Sequence, residues 1–94
     1  MAATADTIAC PLGEWTELTS ADTVTVSFQV KGAGAVELKA TTASAPTNFD
    51  GALRYKQGQG EAAAPLLTLF GGVVGVRLWA YATDRATSVA IQHD

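Results

Sequence analysis

The sequence predicts an all-β domain, a small antiparallel β-sandwich or barrel of six to eight short strands. Several segments alternate apolar and polar residues at period two, the pattern of a strand with one buried face. Turn residues recur roughly every 8–12 residues. No segment holds the apolar spacing of an amphipathic helix.

Taken in order, Thr7-Ile8-Ala9-Cys10 reads as a short strand closed by Pro11 and Gly13. Trp15 to Leu18 follows, with Trp15 and Leu18 as anchors. Thr19 to Asp22 is turn chemistry, since short polar side chains bond the local backbone. Thr23 to Lys31 is the clearest strand: Val24, Val26, Phe28 and Val30 form its apolar face. β-branched residues suit such a half-buried pleated surface. Gly32-Ala33-Gly34 then offers permissive backbone for a hairpin into Ala35–Thr41. Pairing Val30 with Val36 sets Phe28 against Leu38 and Val26 against Ala40, all on one face, so the register is self-consistent.

Thr42 to Gly51 reads as loop. Ala52 to Gln57 is a strand with Leu53 and Tyr55 on one side and Arg54 and Lys56 on the other. Gly58-Gln59-Gly60-Glu61 turns the chain. Leu66 to Phe70 is a short strand or a helical turn between Pro65 and Gly71-Gly72. From Val74 to Ala82 the alternation is strict. Val74, Val76, Leu78, Ala80 and Ala82 point to the core; Arg77, Trp79 and Tyr81 point away and need a cover, from a second sheet or another protein. After the polar turn Thr83 to Ala86, a last strand runs from Thr87 to Gln92, with Val89 and Ile91 inward.

At 94 residues the chain is one domain, 1–94, with a modest core. An apolar share of 48% with 16% charged residues describes a folded protein with a largely neutral surface, which suits a place among other proteins and equally suits the Thr- and Ser-rich habit of small β-domains. A net charge of −3 argues against nucleic acid and anionic membranes as partners. No apolar run is long enough to span a bilayer. Met1 to Asp6 lacks the basic and apolar regions of a signal peptide. Cys10, the only cysteine, excludes an internal disulfide and a four-thiolate zinc site, and fits synthesis in a reducing cytoplasm.

Chemistry is sparse. The sole histidine, His93, lies next to last, where an exposed, frayed side chain is expected. Cys10 has an apolar setting and no cation near it in sequence, so it reads as a buried, inert thiol. The carboxylates are scattered and form no calcium loop. Gly58-Gln59-Gly60-Glu61 lacks the Lys-Ser/Thr of a nucleotide loop; Glu61 is expected to accept bonds from loop amides. The reading is therefore no enzyme, no catalytic residue, no metal site and no cofactor. Trp15, Tyr55, Trp79 and Tyr81 admit two readings: packing or interface residues, or a platform that stacks on sugar rings.

Several stretches together resemble small virion structural proteins of tailed bacteriophages. They are Gly13 to Thr19, Gly51 to Tyr55, Gly58 to Glu61, Leu66 to Phe70 with its Gly-Gly turn, Val76 to Ala82, and Val89 to His93. The resemblance implies a head decoration or cement protein, a small β-domain that binds the major capsid protein or other virion proteins. It implies a homo-oligomer or lattice-bound copies, located in the virion and assembled in the host cytoplasm, with no nucleic acid or membrane bound. Arg77, Trp79 and Tyr81 are the expected contact face, with Arg54 and Tyr55 as a second. The alternative is a carbohydrate-binding or receptor-reading module of a head fibre, collar or tail.

Overall fold

A computed structural model describes residues 4–19, 23–42, 44–50, 52–66 and 77–93. Its strands are β1 (Thr4–Cys10), β2 (Trp15–Glu17), β3 (Thr25–Val30), β4 (Ala35–Thr41), β5 (Leu53–Lys56), β6 (Gly60–Pro65), β7 (Arg77–Ala82) and β8 (Thr87–His93). They form two four-stranded sheets: sheet A in the order β1-β8-β3-β6 and sheet B in the order β2-β7-β4-β5. All the pairings between these eight strands are antiparallel. β1 pairs with β8, β2 with β7, β3 with β6 and β4 with β5, the nested scheme of one long hairpin. Rolled so that β3 also meets β8 and β4 also meets β7, that hairpin is a jelly roll. The expected all-β sandwich is thus the fold.

The expected hairpin between β3 and β4 does not form. β3 belongs to sheet A and β4 to sheet B, so the segment between them crosses the sandwich. The amides of Lys31 and Gly32 instead bond the Ser88 carbonyl, at 2.8 and 3.3 Å. The apolar residues that were to sit side by side face each other across the core. Period-two alternation is the same in both cases, since a buried face can meet a neighbour in its own sheet or in the opposite one.

The core holds Val26, Phe28 and Val30 of β3, Val36, Leu38 and Ala40 of β4, Leu78, Ala80 and Ala82 of β7, and Val89 and Ile91 of β8. Cys10 joins them at 1% exposure, and burial pushes its thiol from 9.0 up to about 11. Val24, expected on that apolar face, lies before β3 and is 64% exposed. His93, expected to fray, is 4% exposed because β8 runs on to pair it with Thr4 and Val26. Val74 and Val76, most of Leu66–Phe70 with its following glycines, and much of the Thr19–Asp22 turn lie outside the described residues.

β6 is a strand where a turn was expected at its start. Gly60 allows it: a Cβ there would collide with the Phe28 carbonyl of the neighbouring strand. A register shift between Val26 and Phe28, Ala63 at φ 49° and Pro65 without an N–H make β6 an irregular edge. The displaced Ala63 amide donates to Ser27 Oγ at 2.8 Å.

Candidate functional site

Strand alternation places Trp15 and Glu17 of β2, Arg77, Trp79 and Tyr81 of β7, and Glu37, Lys39 and Thr41 of β4 on the outer face of sheet B. The register sets Tyr81 between Trp15 and Glu37, Trp79 between Glu17 and Lys39, and Arg77 beside Thr41. Arg54 of β5 lies opposite Glu37 on the same face. Arg77, Trp79 and Tyr81 are therefore together, as expected, in the middle of an aromatic and charged surface.

Each large side chain there has a partner. The Trp79 indole Nε1–H donates to Thr41 Oγ1 at 2.9 Å. Arg77 Nη1 meets Glu17 Oε2 at 3.2 Å, a half-exposed ion pair that locks β7 to β2. Arg54 Nε lies 3.9 Å from Glu37 Oε2, too far for a hydrogen bond. That oxygen is shielded from solvent and has no hydrogen-bond partner among the described residues, so Coulomb attraction compensates it.

The cover that this face required comes from the chain itself. The loop between β4 and β5 folds back over it, and the Phe49 ring packs on Trp15 at 5.3 Å and on Tyr81 at 4.8 Å. Trp15 and Tyr81 also meet edge-on at 5.3 Å. Such tilted and edge contacts suit the ring quadrupoles. Lys39 Nζ donates to Asn48 Oδ1 at 2.6 Å, and the Asp50 amide donates to the same oxygen at 3.0 Å. The loop closes where the Ala52 amide donates to the Phe49 carbonyl at 3.0 Å. Phe49 nevertheless remains 47% exposed and forms a protruding tip.

Tyr55 does not share this surface. It points inward from β5, edge-on to Phe28 at 4.9 Å, and its hydroxyl donates to Glu61 Oε2 at 3.2 Å. Arg54 and Tyr55 therefore serve opposite faces and do not form a joint contact site. Burial, then the Glu61 charge and hydrogen bond, push the Tyr55 hydroxyl from 10.0 up to about 12. Glu61 itself accepts a phenol rather than loop amides.

Phe49 and the co-facial Glu17 and Lys39 were not among the expected contact residues. The signal for Phe49 was one aromatic inside the polar run Asn48-Phe49-Asp50, since a loop has little reason to carry a bare ring. Among the described residues, no group of three or more His, Cys, Asp or Glu is placed to hold a metal ion. The chain matches no protein-family profile, no curated protein and no solved structure.

Proposed function

We propose that the chain is a virion structural protein of a tailed bacteriophage, a capsid decoration or cement protein that stabilises the head by protein–protein contacts. The observation that carries this reading is the outer face of sheet B. Two tryptophans, a tyrosine, a half-exposed phenylalanine and two arginines share one rigid surface, the residue types enriched in interface cores. Jelly rolls recur among viral capsid domains, which supports the reading by analogy alone. The partners in this reading are the major capsid protein or other virion proteins, with copies arranged as an oligomer or on a lattice.

The test is co-sedimentation of the purified chain with empty capsids of a candidate phage. Binding at lattice stoichiometry, lost in a folded Trp79→Ala variant, is the expected result. Full binding by that variant would remove sheet B from the contact.

The exposed Phe49 tip on two further rings also favours a second reading, a carbohydrate-binding or receptor-reading module, because a ring with one open face can stack on a sugar. Here glycans would change tryptophan fluorescence and Phe49→Ala would abolish the change.

A further inference from the structure

We infer that β1 is the one edge among the described strands able to accept a further strand, that the strand it fits is β1 of a second copy, and that Asp6 keeps this edge shut. The inference goes beyond the reading above. It concerns how copies are kept from joining through their sheet edges, whatever the faces bind.

An edge strand leaves the amide and carbonyl of every second residue unpaired, a template for strand addition. Two edges of this sandwich close themselves. In sheet B, Ala35 turns its backbone toward β7, where its amide bonds Asp84 Oδ1 and its carbonyl accepts the Thr83 amide. Val36 and Leu38 therefore face β5, and the backbone groups of Arg54 and Lys56 point to the free edge. The Lys56 amide donates to Gln59 Oε1 at 2.8 Å, and its carbonyl accepts the Gln59 amide at 2.9 Å. In sheet A, β6 has its register shift, its Ala63 amide turned onto Ser27 Oγ, and Pro65 without an N–H. A third edge, β2, is only three residues long.

β1 differs from all three. It runs seven residues and pairs with β8 without a shift. The Lys31 amide bonds the Ser88 carbonyl, so Ser88, Ala90 and Gln92 turn their backbone groups to β3, and Val89, Ile91 and His93 turn theirs to β1. Their partners Ile8, Asp6 and Thr4 face β8, which leaves the backbone of Ala5, Thr7 and Ala9 pointing to the free edge. That row is its own complement. A second β1, antiparallel about a two-fold axis between the two Thr7 residues, sets Ala5 against Ala9 and Thr7 against Thr7, so each outward amide meets a carbonyl. The same register puts Ile8 opposite Asp6 of the second copy, and no like charges stand directly opposite each other. One obstacle sits at the centre of the row: the Thr7 amide already donates to Asp6 Oδ1 at 2.8 Å. Pairing would require both copies to give up a bond to a carboxylate, one of the stronger kinds.

Sedimentation velocity of the full chain tests this. Asp6→Ala removes the acceptor, whereas Asp6→Asn removes the same charge and keeps an acceptor oxygen. Asp6→Ala should dimerise at least about tenfold more tightly than the wild type, and Asp6→Asn should behave like the wild type. Thr7→Pro deletes the central amide on the side away from β8, and should cancel the association of Asp6→Ala. An Asp6→Ala chain that associates no more than the wild type would overturn the inference. So would an Asp6→Asn chain that associates as readily as Asp6→Ala, since lost charge would then be the cause. Association that survives Thr7→Pro would place the contact elsewhere and overturn it as well. Circular dichroism checks folding; should a variant misfold, Asp6→Val replaces Asp6→Ala and Ala9→Pro replaces Thr7→Pro, with the same outcomes expected.

Discussion

The two sheets bury similar aliphatic side chains inward and present unlike surfaces outward. Sheet A turns Thr7, Ala9, Ser27, Gln29, Ser88, Ala90 and Gln92 to the outside, without a charge or a ring. Sheet B turns out Trp15, Trp79 and Tyr81 with two ion pairs, and draws the loop between β4 and β5 over them. One face has only small side chains and neutral polar groups, which water solvates as well as a partner does. The other holds large rings whose exposure to water is costly, so it recruits cover, from its own loop first. The difference teaches that a shared core fixes the sandwich while the outer faces are free to diverge.

The core sets the scale for that comparison. Leu38→Ala should cost about 2–5 kcal/mol, since Leu38 is fully buried and neighbouring strands cannot collapse into the space. Urea denaturation gives the value; a loss as small as that of a surface change would mean the inner faces are not tightly packed. Next comes the outer face of sheet B. Trp79→Ala should cost about 2–3 kcal/mol, from lost ring packing and from leaving Thr41 without its indole donor. The matched change on sheet A, Gln92→Ala, should stay within about 0.5 kcal/mol. Equal losses at Trp79 and Gln92 would erase the contrast between the faces.

Alkaline titration separates the two sheets by another route. Cys10 of sheet A and Tyr55 of sheet B both have folded values above their ordinary ones, so the native state favours their neutral forms. Their contribution is complete below the unfolded values and is lost as pH rises: from 9.0 to about 11 for Cys10, and from 10.0 to about 12 for Tyr55. Cys10→Ala should remove the lower part of this loss and Tyr55→Phe the upper part, read from denaturation midpoints between those limits. The smallest effect is expected at the irregular edge of sheet A. Ala63→Gly relieves a left-handed backbone at φ 49° and should raise stability by roughly 0.5 kcal/mol, net of the entropy of glycine. A destabilised variant would show that the bulge is not strained.

Legibility in the sequence follows the range of each interaction. Ala35–Thr41 was readable to the residue because Val36, Leu38 and Ala40 alternate with Glu37, Lys39 and Thr41. The shared face of Arg77, Trp79 and Tyr81 was readable for the same reason. β6 was not: Glu61 to Ala64 carries no β-branched residue and no alternation, and the strand exists because β3 accepts it alongside Gly60. The contact of Phe49 with Trp15 and Tyr81 was equally invisible, since the three rings come from distant parts of the chain.

By itself, then, the sequence determined that the chain is all β, which residues within β3, β4 and β7 face the core, and that β7 carries an aromatic outer face. Those properties depend on local backbone preference and a two-residue period, both written in neighbouring residues. Only the tertiary structure decided that β3 and β4 part into different sheets, that β8 rather than β4 completes the β3 ladder, and that Phe49 covers the aromatic face. Those choices compare partners far apart in the chain, and alternation leaves them equal until the whole sandwich closes.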